Sequence, residues 1–79
     1  MRTTLSQLMP GETGTVVKVR GSGSIQRRII DMGVVTGTSI EMIKFAPLGD
    51  PVEIRVKGFN LSLRKAEAEF IELDVIAKE

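Results

Sequence analysis

The chain has no cysteine, histidine, tryptophan or tyrosine, and each absence removes a class of chemistry. Without thiols there is no disulfide, zinc-thiolate or iron-sulfur site, so stability rests on packing alone. Without histidine the serines and threonines lack an imidazole base, and any iron or zinc site would have to be built from carboxylates. No catalytic residue is therefore assigned, and no metal or cofactor is expected. Three phenylalanines are the whole aromatic complement, too few for a base-stacking platform. Long apolar runs are also missing. Met1 to Pro10 lacks the continuous hydrophobic region of a secretion signal, and no later stretch approaches membrane-spanning length. A soluble, cytoplasmic protein is the expectation.

What is present fits one small domain. At 79 residues, residues 1–79 are expected to fold as a unit near the size at which one apolar core just offsets the ordering entropy. The formal charge of +1 gives little overall attraction to nucleic acid. Its distribution is uneven. Arg2, Lys18, Arg20, Arg27 and Arg28 face only Glu12 in the N-terminal third, while Glu67, Glu69, Glu72 and Asp74 make the C-terminal stretch acidic. Such a two-signed surface suits an ordinary soluble domain or a charged docking face.

Local patterns predict short strands broken by tight turns. Thr4 to Gly11 reads as a turn presenting Leu5 and Leu8. Thr13 to Arg20 is rich in β-branched residues and reads as a strand, with Val17 and Val19 on one face and Val16 on the other. After the Gly21-Ser-Gly-Ser24 break, Ser24 is the expected cap of a helix over Ile25 to Met32, with Ile25, Ile29 and Met32 on one side. Gly33 is its expected left-handed stop. Ser39 to Phe45 changes apolar parity between Ile40/Met42 and Ile43/Phe45. That change fits a strand covered on both faces, a bulge, or a self-association surface of a homo-oligomer.

The clearest signal comes next. Phe45-Ala-Pro-Leu-Gly-Asp-Pro51 is a proline and glycine turn feeding the alternating strand Val52 to Lys57, whose Val52, Ile54 and Val56 share one face. A second turn, Lys57 to Asn60, leads to Leu61 to Arg64. Arg64 to Ala68 reads as one helical turn, and Phe70 to Ala77 as a last strand with Ile71, Leu73, Val75 and Ala77 on a common face. About five strands with one inserted short helix describe a mainly β fold, a small barrel whose closure would hide its edges.

Each candidate functional residue also admits a plain structural role. The Gly-Ser-Gly-Ser segment before a helix invites comparison with phosphate-binding loops, but it lacks both the third glycine and the Gly-Lys-Ser/Thr that such loops need. Arg27 stands four residues before Asp31, so an exposed ion pair is as good a reading as a basic contact patch with Arg28. Leu48, at the tip of the proline turn, is expected to fold back over the barrel mouth unless it serves as an apolar anchor.

Taken in order, Gly11 then Gly14-Thr-Val16, Arg28-Ile-Ile-Asp-Met-Gly-Val-Val-Thr-Gly-Thr38, Phe45-Ala-Pro-Leu-Gly-Asp-Pro51 and Leu61-Ser-Leu-Arg-Lys65 closely resemble the FeoA family of bacterial ferrous iron transport proteins. The resemblance covers nearly the whole chain. It implies an SH3-like barrel and a non-catalytic cytoplasmic accessory that acts beside FeoB, a membrane iron transporter with a GTP-binding domain. Similar domains also end iron-dependent repressors, but the DNA-reading helices and the histidine and cysteine ligands of those proteins are missing here. A proline-peptide groove is equally out of reach, because it needs aromatic walls. The expected partner-binding patch therefore combines the helix and the hairpin tip, with Arg27 and Arg28 supplying charge, Leu48 an apolar anchor and Asp50 a neighbouring polar group. The alternatives are a small-barrel nucleic-acid binder, an iron-responsive regulatory module, and a direct iron carrier using the acidic C-terminal stretch.

Overall fold

The computed structural model describes residues 1–21 and 23–75. In chain order it contains β1 (Arg2–Thr4), a 3-10 turn (Leu5–Gln7), β2 (Thr13–Val19), α1 (Gly23–Asp31), β3 (Ser39–Phe45), β4 (Val52–Val56), β5 (Phe59–Leu63), α2 (Lys65–Ala68) and β6 (Ile71–Asp74). The strands form one six-stranded sheet in the order β1-β6-β2-β3-β4-β5, every pair antiparallel. The expected barrel is thus present as a strongly bent sheet whose hydrogen-bond ladder is not closed. The 3-10 turn after β1 packs against α2, which follows β5, so side chains rather than a ladder bring the two ends of the sheet together.

Hydrophobic patterning set most of this. Val52, Ile54 and Val56 on β4 are buried, as their alternation requires. They meet Ile40 and Met42 of β3, Leu63 of β5 and the inward Ile71 and Leu73 of β6 in one cluster. Ile29 of α1 and Val34 close that cluster from the helical side. The parity change in β3 is a bulge: pairing with β4 slips between Met42 and Lys44, which turns half-buried Phe45 back onto the core. A second slip, between Val16 and Lys18 against β6, does the same in β2. It leaves Val16 buried and Val19 packed at the core margin.

Several boundaries differ from expectation. There are six strands because Arg2–Thr4, read as part of a turn, pairs with β6 through Arg2↔Asp74 and Thr4↔Glu72. Three residues carry no alternation to detect. The N-terminal amine anchors this strand instead, 3.1 Å from the Asp74 carboxylate and donating to the Val75 carbonyl at 2.7 Å. α1 begins at Gly23, so Ser24 lies inside the helix rather than at its cap, and Ile25 is 40% exposed while Ile29 carries the packing. The stop at Gly33 holds: with φ of +93°, Gly33 N–H donates to the Ile30 carbonyl at 2.9 Å and Val34 N–H to the Ile29 carbonyl at 3.3 Å, the paired bonds of a left-handed helix end. Ala77 lies outside the described residues. Among the described residues no helix is long and apolar enough to cross a membrane.

Candidate protein-docking surface

The β3–β4 tip is held rigidly from below. Gly49, at φ of +88°, donates its N–H to the Ala46 carbonyl at 2.7 Å, and Ala46 N–H donates to the Pro51 carbonyl at 3.0 Å. The Asp50-Pro51 peptide is cis. This frame projects Leu48 outward with 97% of its surface exposed, so the expectation that Leu48 tucks over the barrel mouth is corrected. The turn closes through its own backbone, and the side chain at its apex has nothing to fold onto. Leu48 is thus an exposed apolar side chain at the apex of the tip.

Asp50 has a partner within the chain. Its Oδ1 accepts the Lys65 N–H at 2.9 Å, which satisfies the first amide of α2, one of the donors a helix start leaves unpaired. The next structural partner is Glu67, whose Oε1 accepts the Arg64 N–H at 3.0 Å and whose Oε2 lies 2.9 Å from Arg28 Nη1. Glu67 is 8% exposed, so this carboxylate is largely desolvated and fixed by its two donors. The short α2 therefore links the hairpin tip to α1: Asp50 grips one side and Arg28 the other.

The pair Arg27 and Arg28 divides accordingly. Arg28 is committed to Glu67, whereas Arg27 is exposed and makes no ion pair with Asp31 among the described residues. Of the two equal readings of Arg27, the ion pair with Asp31 is not formed, and the unpaired positive charge on this helix is that of Arg27. Arg27 sits beside Gln26, Ile30 and Asp31 on a shallow surface depression, and the same Ile30 reaches a second depression with Val17, Val19 and Val35.

Charge on β1, β6 and the end of β2 is partly matched within the sheet. Glu72 takes both Arg20 and, at 3.9 Å, Arg2, and Asp74 takes the N-terminal amine. The acidic stretch is divided, with Glu67 in α2, Glu69 just after it, and Glu72 and Asp74 in β6. Among the described residues no group of three or more carboxylates is arranged to hold a metal ion. What the sequence did not reveal is Phe59. Read as part of a turn, it opens β5 and is 73% exposed; its position next to the Lys57-Gly58 turn was the available signal.

Comparison with known proteins supplies the rest. The FeoA domain model matches residues 3–75. A protein of Porphyromonas gingivalis described as an Fe(2+) transport protein A/Fe(2+) transporter FeoB fusion protein is 41% identical over 73 residues, which are 92% of this chain and 9% of that protein. The chain thus spans a small part of that relative's length. The solution structure of a FeoA-like protein from Clostridium acetobutylicum superposes with a TM-score of 0.91 at 35% identity, covering 99% of this chain and 91% of the other. FeoA of Stenotrophomonas maltophilia, crystallised with zinc and described as a procaryotic SH3 domain protein, gives a TM-score of 0.80 at 29% identity, over 91% of this chain and 89% of that one. With the domain model matching residues 3–75 and a 41% identical relative covering 92% of its length, this chain belongs to the FeoA domain family associated with ferrous iron transport.

Proposed function

We propose that this protein is a non-catalytic cytoplasmic accessory of ferrous iron transport that docks on the GTP-binding region of a FeoB-type transporter and modulates transport. One observation carries the reading: in the Porphyromonas gingivalis relative, a segment matching this chain belongs to the same polypeptide as an Fe(2+) transporter FeoB. Fusion holds two modules at high effective concentration, which is useful when they act on each other. Docking of one module on the other needs a surface to carry it.

The hairpin tip and α1 support that role. Leu48 offers an apolar side chain whose burial is worth about 2 kcal/mol, and it does so from a turn already ordered by its own hydrogen bonds, so little entropy is lost on docking. Arg27 adds a positive charge to steer an acidic surface. Arg28 and Asp50 support the patch by positioning α2.

The test is an amide NMR titration with the cytoplasmic GTP-binding region of the transporter, run with GDP and with a non-hydrolysable GTP analogue. Shifts concentrated at Pro47 to Asp50 and on α1, larger with one nucleotide, are the expected outcome. Unchanged spectra with both nucleotides would refute docking on that region.

A further inference from the structure

We propose that the free edge of β5 is a strand-addition site for an extended peptide segment of a partner, with apolar residues at alternate positions and acidic residues at its flanks. The inference is independent of the hairpin-tip surface and rests on the edge itself. β5 ends the sheet order and pairs only with β4. The turn joining them is Lys57-Gly58, with φ of 52° and 84°, the left-handed pair of a type I′ hairpin. In such a hairpin the residues flanking the turn, here Val56 and Phe59, form a hydrogen-bonded pair, and hydrogen-bonded and open pairs then alternate. Phe59, Leu61 and Leu63 therefore spend their N–H and C=O groups on β4. Those of Asn60 and Ser62 point away from the sheet, and neither makes a backbone hydrogen bond in a turn or loop among the described residues.

An unpaired edge is usually guarded, because it templates aggregation. β1, the opposite edge, is three residues long and begins at Arg2. β5 has none of the usual guards. Its five residues include no charge, proline or glycine, and its register with β4 runs without a bulge. On the core-facing side, burial falls steadily from Leu63 through half-buried Leu61 to Phe59 at 73% exposure. A ready apolar shelf thus accompanies a row of free backbone groups, the two elements that strand addition requires.

Charge decides between occupants. Lys57 lies just before β5 and Arg64 just after it, both exposed and neither in an ion pair among the described residues. A second copy pairing antiparallel about Leu61 would bring each Arg64 near the partner's Gly58 and Lys57 end, setting like charges together. A peptide with acidic flanks meets Lys57 at one end and Arg64 at the other. Pairing over Phe59 to Leu63 spans about 17 Å, which places the flanking carboxylates beside those two cations.

The test uses the whole chain and the acetylated peptide Asp-Glu-Val-Thr-Val-Thr-Val-Glu-Asp. The expected result is saturable binding with the largest amide shifts and slowed hydrogen exchange at Asn60 and Ser62. Replacing the acidic flanks with lysines is expected to weaken binding at least tenfold. N-methylating the peptide on its pairing edge is expected to abolish it, a control that leaves the protein untouched. Ser62→Pro removes an outward N–H without breaking the β4 ladder and is expected to abolish binding in a protein whose remaining spectrum is native. No shift at millimolar peptide, equal binding of the N-methylated peptide, or edge shifts that follow protein concentration without peptide would each overturn the proposal, the last in favour of a second copy.

Discussion

Asp50 and Lys65, remote in sequence, are joined where the Lys65 amide donates to Asp50 Oδ1 at 2.9 Å. The bond ties the base of an exposed turn to the first residue of α2, and it gives Asp50 a structural role within the Pro-Leu-Gly-Asp-Pro turn. Asp50→Ala leaves that amide to solvent, and since the site is exposed the expected loss of stability is modest, about 0.5–1.5 kcal/mol. Asp50→Asn keeps an acceptor oxygen and is expected to retain most of it. Urea unfolding of the two variants measures the difference.

Arg28 and Glu67 lead to an expectation that separates neighbouring arginines. Glu67 is nearly buried and Arg28 is one of its two donors, so Arg28→Ala leaves a desolvated carboxylate short of a partner, at a cost of about 1–2 kcal/mol. Arg27→Ala removes an exposed charge and is expected to stay within about 0.5 kcal/mol of the parent. Thermal unfolding of both shows the asymmetry. Equal effects would mean that Glu67 finds compensation elsewhere.

Leu48 is the opposite case, a residue whose removal is expected to touch partner binding and not the fold. With almost all of its surface in water, Leu48→Asp is expected to leave stability within about 0.5 kcal/mol. The same change is expected to weaken binding to the FeoB-type GTP-binding region by tenfold or more, about 1.4 kcal/mol. Calorimetric titration beside a urea curve reads both quantities on one preparation. Unaltered affinity would exclude the tip as an anchor.

What could be read in advance followed the strength of the local signal. β4 was legible because Val52, Ile54 and Val56 alternate without interruption, and the tip because proline and glycine constrain the backbone directly. The β3 bulge left its trace as a parity change. β1 left none, since three residues are too few to show an alternation and their partner strand β6 lies far along the chain, a pairing that no local pattern encodes. The proposed docking surface was half legible for the same reason. Arg27 and Arg28 are identical in type and adjacent in sequence, and only the tertiary placement of Glu67 beside Arg28 distinguishes them. Leu48 was misjudged because a side chain's exposure depends on what surrounds the turn, and its own residues do not determine that.

Gly14 tests how closely the sheet is packed beneath β2. It lies buried opposite Ile40 on β3, and a Cβ built there would stand 3.1 Å from Leu73 Cβ and 3.2 Å from both Leu73 Cδ1 and Val75 Cγ2. Those atoms belong to β6 and its continuation, whose side chains are themselves held in the core. A methyl would require shifts of a few tenths of an ångström, offset in part by the stiffer backbone of alanine. The branched side chain of Gly14→Val has no such room. Its overpacking is expected to cost about 1–3 kcal/mol despite the high strand propensity of valine, and Gly14→Ala is expected to fall between it and the parent. Urea denaturation orders the three proteins. A valine variant as stable as the parent would mean that β6 can move away from β2, and the tight contact between these strands would then not be what requires glycine here.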